Sequence, residues 1–183
     1  MEIYYYMPDS DNFQYAMLDD ENDWNIITYG FNGHSLKESW RPIRMYLEKI
    51  GQRTSFPGLS MRVPAVTLHA WEIVKPFVSA EVEALPLDCR EEPLIALNVT
   101  NVVDCLDLAH SKVKRFGDGS IMEIEEYAFK DNCINNFYMF VLRELPLSGL
   151  LITERFREII ERNQLQGLKF VTLPQKKSFS ANG

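Results

Sequence analysis

No lysine or arginine occurs before Lys37. The same stretch carries seven acids: Glu2, Asp9, Asp11, Asp19, Asp20, Glu21 and Asp23. The chain holds 26 acids and 19 bases, so residues 37–183 balance at 19 of each, and the net charge of −7 belongs to the opening. A local field of one sign steers a partner of the other sign. Phosphate binding needs a basic stripe and none is present, which argues against nucleic acid as a partner and, for the same reason, against an anionic membrane surface.

Other absences narrow the reading further. No apolar run approaches the ~20 residues that span a bilayer. Met1-Glu2-Ile3-Tyr4 has neither the basic nor the apolar region of a secretory signal, so the expected location is the cytoplasm. Cysteine is scarce: Cys89, Cys105 and Cys133 are odd in number and far apart, which points to reduced, mostly buried thiols. There is no Cys-x-x-Cys, and His34, His69 and His110 lack the short helical spacing of a zinc site. Gly117-Asp118-Gly119 lacks the lysine and further glycines of a phosphate loop. The Asp9/Asp11 and Asp19/Glu21/Asp23 alternations are not calcium loops. Gln14 and Trp24 stand where the sixth-position glycine belongs, and Asp20 and Gly30 where the twelfth-position glutamate belongs. No metal and no cofactor are expected.

What is there is a core. A chain of 183 residues with a hydrophobic fraction of 46% builds one large domain or two very small ones. Strands are expected over residues 1–7, Phe13–Leu18, Ile26–Tyr29, 63–66, 82–87, 94–103, 121–129, 137–142 and 168–173. Leu36, Trp40, Ile43, Leu47 and Ile50 recur every three to four residues, which predicts a helix starting near Pro42. Thr67 caps a second helix to about Phe77, and Thr153 a third to about Asn163. Residues 51–64, with two glycines and two prolines, read as a linker. The fold class is α+β: a mixed, largely antiparallel sheet with two or three packed helices. Residues 1–36 form an acidic, aromatic segment of the same domain, 37–174 its main body, and 175–183 a flexible tail.

Groups able to do chemistry are few. Asp104, Asp107, His110 and Ser111 form the one compact set of acid, base and nucleophile types, but neighbours on a short segment rarely aim at one another. Glu91-Glu92 and Glu123/Glu125/Glu126 are explained as solvated faces. The opening adds Tyr4, Tyr5, Tyr6, Phe13, Tyr15, Trp24, Tyr29 and Phe31 to its acids. Aromatic rings supply the contact area that dominates binding energy. The opening therefore reads as a recognition surface.

One set of short words runs through the rest of the chain. It comprises Trp40-Arg41-Pro42, Phe56-Pro57, Val63-Pro64-Ala65, Leu85-Pro86-Leu87, Asn98 to Asp107, and Ser111. It continues with Asp118-Gly119-Ser120-Ile121-Met122, Tyr127-Ala128-Phe129, Phe140, Thr153-Glu154-Arg155-Phe156 and Leu165 to Phe170. In order and spacing, over roughly residues 38–173, these resemble a bacterial family first catalogued as a domain of unknown function. That family is now grouped as the eleventh family of immunity proteins of polymorphic toxin systems. The resemblance implies a cytoplasmic protein that binds and neutralises a cognate toxin, with a nuclease-type toxin as the first expectation. It brings no catalytic residues with it.

The two lines meet on charge. A nuclease is basic because it holds phosphate, so an acidic inhibitor fits its groove. Asp9, Asp11, Asp19, Asp20, Glu21 and Asp23 are the expected charges of the partner-binding surface, and Tyr4, Tyr6, Tyr15 and Trp24 its expected anchors. Two alternatives stand beside this. One is a small hydrolase using Asp104, Asp107 or His110. The other is an adaptor that loads an effector onto a secretion system. The sequence leaves the oligomeric state open.

Overall fold

The computed structural model describes residues 1–48, 50–145 and 149–175. Twelve strands and two α-helices follow one another among them, giving an α+β fold. In chain order the first part is β1 (Ile3–Pro8), β2 (Ala16–Leu18), β3 (Arg44–Leu47), β4 (Ala65–Thr67), α1 (Leu68–Val78), β5 (Val82–Cys89) and β6 (Leu94–Val99). The second part is β7 (Val102–Val103), β8 (Lys112–Arg115), β9 (Ile121–Glu126), β10 (Met139–Leu142), β11 (Leu151–Thr153), α2 (Glu154–Arg162) and β12 (Leu168–Thr172).

Two five-stranded sheets carry the molecule. One has the order β12-β1-β11-β10-β7, the other β2-β3-β5-β6-β4, and β8 and β9 form a separate hairpin. Pairing is mostly antiparallel; β7 with β10 and β3 with β5 are parallel. The central core lies where both sheets meet both helices. It joins Tyr4 and Tyr6 from β1, Leu97 and Val99 from β6, and Ala70, Trp71 and Val74 from α1 with Phe156, Ile159 and Ile160 from α2. The outer faces of the two sheets are covered separately. Ile27, Phe31 and Ile43 pack on Met45, Leu85 and Ala96, while Ile124, Tyr127 and Ile134 pack on Ile3, Phe140 and Leu151.

A polar seam joins the sheets. The chain leaves β6 and enters β7 through Thr100 and Asn101, whose N–H groups both donate to the Glu81 carbonyl (2.9 and 3.2 Å). The Glu81 carboxylate, itself buried, accepts from the N–H of Tyr138 (3.0 and 3.1 Å) and of Met139 (2.7 Å). Asn101 Nδ2 completes the seam by donating to the Met139 carbonyl at 3.0 Å.

Several expectations are corrected here. The helix predicted to start near Pro42 is instead the strand β3, Arg44–Leu47. From Ile43 the buried residues alternate (Ile43, Met45, Leu47), a period of two that the wider three-to-four spacing concealed. Pro42 also disfavours a helical Arg41. The predicted strand at Ile26–Tyr29 is a π-helical turn, Ile26–Gly30. The single strand expected over 94–103 is two, belonging to different sheets. Cys105 and Cys133 are not free thiols: they are joined in a disulfide, with Cα atoms 5.6 Å apart. Cys89 remains free and half-buried. The expected flexible tail lies, beyond Gln175, outside the described residues.

β1 lies between β11 and β12. Its side chains alternate between two cores, so Tyr4 is 2% exposed and Tyr6 0%. The Tyr6 hydroxyl finds no hydrogen-bond partner among the described residues, and burial pushes its pKa far up. An unbonded buried hydroxyl costs about 1–3 kcal/mol. Tyr6→Phe is therefore expected to raise the unfolding free energy by about 1 kcal/mol in urea. A loss of that size in the same titration would mean that the hydroxyl is bonded.

Candidate partner-binding surface

The acids of the opening separate into two kinds. Asp9 and Asp11 share Lys169, with 3.1 Å from Asp9 to its Nζ. The hydrogen bond from Asn12 Nδ2, aided by Lys169, holds the Asp9 carboxyl below its usual range. Asp19 receives Arg90 on both oxygens at 2.7 Å, and that guanidinium also lies over the Tyr46 ring. Asp19 has Arg90 to itself, whereas Asp9 and Asp11 share the one charge of Lys169. Asp20 shapes the local backbone, since its carboxylate accepts from the N–H of Asn22 (2.9 Å) and caps the 3₁₀ turn Glu21–Asp23. Only Glu21 and Asp23, on that turn, have no partner for their side chains among the described residues of this cluster.

The expected aromatic anchors separate as well. Tyr4 and Tyr6 are core residues, which corrects their expected place on the surface: the strand that carries them has neighbours on both sides and cores on both faces. Tyr4 is held further by Arg157, which donates to its hydroxyl at 2.8 Å. Tyr15 and Trp24 line one cavity of about 410 Å³. Trp24 closes the 3₁₀ turn and is 37% exposed.

The rest of that cavity lies outside the expected surface. Met7 and Pro8 come from the end of β1, Met17 from β2, and Leu59, Ser60 and Met61 from the stretch read as a linker. That stretch runs beside β2: Ala16 donates to the Gly58 carbonyl at 2.7 Å, and Gly58 donates to the Gln14 carbonyl at 3.2 Å. A Cβ on residue 58 would lie 2.5 Å from Ser10 Oγ and 3.3 Å from Tyr15 Cβ, so a larger residue would have to displace the Ser10 hydroxyl for the segment to sit this close to the strand. The alternation that makes β2 a strand was the one signal in the sequence for Met17.

The hydrolase candidates occupy a different place. Asp107 and His110 line a larger cavity of about 580 Å³ with Ile3, Tyr127 and Phe129. His110 Nδ1 lies 2.6 Å from Asp107 Oδ2, and this bond holds the Asp107 carboxyl below its usual range. The other Asp107 oxygen accepts from the N–H groups of Ala109 and His110, so the aspartate also organises its own turn. Asp104 does not join them: it pairs with Lys130 and with Arg143 (3.2 Å). Lys130 holds its carboxyl below the usual range. The Ser111 hydroxyl is committed to the backbone of Ala128, accepting from its N–H at 3.0 Å and donating to its carbonyl at 3.3 Å. Asp107 and His110 meet; Asp104 and Ser111 face other partners.

No helix among the described residues is long and apolar enough to cross a membrane. No curated protein matches the chain. A family model does match, over a shorter span than the 38–173 on which the resemblance of short words rests. The match starts at the end of β5, covers β6 to β12 and α2, and leaves out the groove of Trp24 and Met61. Residues 88–174, just under half of the chain, match the model of the immunity protein family Imm11, which supports a role in immunity to a toxin.

Proposed function

We propose that this chain is a non-catalytic inhibitor: it binds a cognate bacterial toxin in the cytoplasm of the producing cell and neutralises it, and the toxin is a basic, nuclease-type protein. The match of residues 88–174 to the immunity family carries this reading. The charge of the chain supports the basic partner, because the whole net charge of −7 arises before Lys37. Asp107 and His110 meet, but Asp104 and Ser111 are held by other partners and do not join them, which supports inhibition without turnover. An adaptor for a secretion system would bind without protecting, so growth separates the two. Cells expressing the product of the adjacent reading frame should grow only when this chain is co-expressed. Death of such cells despite a stable, soluble chain would remove the reading.

Glu21 and Asp23 are the acids of this turn whose side chains have no partner among the described residues, so they should act on the encounter. Glu21→Lys with Asp23→Lys is expected to slow association with that product about tenfold at low salt and to flatten its salt dependence. Surface plasmon resonance over a salt series measures both. An association rate and salt slope equal to wild type would place the interface elsewhere.

A further inference from the structure

The groove beside β2 carries a chemistry of its own. Met7, Tyr15, Met17, Trp24, Leu59 and Met61 make its wall largely apolar. Trp24 is 37% and Met61 49% exposed, so the wall opens to solvent. Beyond Trp24, Ile26 and Tyr29 on the following π-helical turn are 41% and 63% exposed. An exposed apolar patch with a polar rim marks an interaction site. Three methionines make the wall adaptable, since a thioether on an unbranched chain fits varied shapes. The volume of about 410 Å³ lies within the range of sites that bury a ligand of several groups.

No acid among the described residues lines the groove itself, so the charge that selects an occupant comes from the turn next to Trp24 in the chain. Trp24 directly follows the turn that carries Glu21 and Asp23, and Asp20, which caps that turn, bonds only to Asn22, so none of the three meets a base among the described residues of the cluster. The neighbouring Asp19 is spent on Arg90. An acidic occupant would be repelled on that side, and a purely apolar one would leave those charges unused. We infer that the groove seats a basic segment of the partner protein, one that buries two adjacent apolar side chains between Trp24 and Met61 and lays a lysine or arginine against Glu21 and Asp23. This deepens the toxin-binding reading and rests on it. It adds a division of labour: the acids set how fast the partner arrives, and the groove sets how long it stays.

The test uses the full chain and the product of the adjacent reading frame, with Trp24→Ala and Met61→Glu made separately. Both side chains are surface-exposed, and circular dichroism with thermal melting checks that each variant is folded. A few buried anchors carry most of the binding energy of an interface, so dissociation should quicken about tenfold or more in either variant, with association within about twofold of wild type. The Glu21/Asp23 double variant should show the reverse pattern. Wild-type binding with both groove variants dissociating at the wild-type rate would overturn the groove while leaving the inhibitor reading intact. No binding by wild type would overturn that reading and this one together. A wild-type dimer that Met61→Glu turns into monomer, with partner affinity unchanged, would assign the groove to a second copy and also overturn the proposal.

Discussion

Replacing Glu81 with alanine should lower the unfolding free energy by about 3–5 kcal/mol, the range found when a buried hydrogen-bonded charge is removed from its partners. The reason lies in the seam. The carboxylate satisfies two backbone N–H groups at the start of β10, and no other acceptor stands there among the described residues to replace it. Each orphaned buried donor costs about 1–3 kcal/mol, and the vacated space adds a cavity cost. Glu81→Gln keeps one carbonyl oxygen but turns an amide NH₂ toward an N–H, so its loss should be smaller. Chemical denaturation at neutral pH measures both. An alanine variant within 1 kcal/mol of wild type would mean that the seam does not hold the sheets together.

The same residue gives stability a pH dependence. Burial raises the Glu81 pKa above its ordinary 4.5, against the opposing pull of the Met139 and Tyr138 N–H groups and Arg155. Between 4.5 and the raised value the folded protein holds a proton that the unfolded chain has released. The contribution of this group is therefore complete below 4.5 and is lost as pH rises through the folded pKa. Glu81→Gln should remove that downward slope from the stability–pH curve. A slope unchanged in the variant would assign it to another group.

Reduction of the Cys105–Cys133 disulfide should cost about 3–4 kcal/mol and lower Tm by about 10 °C. The bridge closes a loop of 28 residues that contains the whole β8–β9 hairpin, and an open loop of that length gives the unfolded chain more freedom. Calorimetry with and without a dithiol reductant, with the oxidation state read by mass spectrometry, measures the difference. Equal melting temperatures for verified oxidised and reduced protein would show that the bridge contributes nothing. In a compartment that keeps thiols reduced, the lower value is the one that applies.

Much of the fold could be read in advance because it rests on local rules. The mixed, largely antiparallel pairing and the helices after Thr67 and Thr153 follow from periodicity, but of the two expected threonine caps only Thr67 makes a capping bond. Thr67 accepts from the N–H of Ala70 at 3.2 Å, whereas the Thr153 hydroxyl donates to the Phe137 carbonyl at 2.8 Å. What failed was decided by distant partners. Tyr4 and Tyr6 read as surface anchors because tyrosine is polar at its tip. The surrounding Ile3-Tyr4-Tyr5-Tyr6 is in fact large on both faces, as a strand with a core on each side requires. The Cys105–Cys133 pairing is not contained in a spacing of 28.

The candidate site was half legible. Composition pointed to the acidic turn and to Trp24 and Tyr15, which share a cavity. It missed Leu59 and Met61 because glycine and proline around them signalled a linker. The same Gly58 that suggested slack is what lets that segment press against β2. Nor could composition tell which acids remain uncompensated, since Lys169 and Arg90 reach Asp9, Asp11 and Asp19 from far along the chain.

The position of β1 also governs the order of assembly during synthesis. Tyr4 is paired with Ile152 on one side and Thr172 on the other. A ribosome adding about 5–20 residues each second takes on the order of ten seconds to reach those partners. Until then the first strand has no neighbours, and the central core, which draws on both sheets, waits with it. Nascent chains must therefore stay soluble with tyrosines uncovered, and a chaperone that grips early apolar strands has a long interval in which to act.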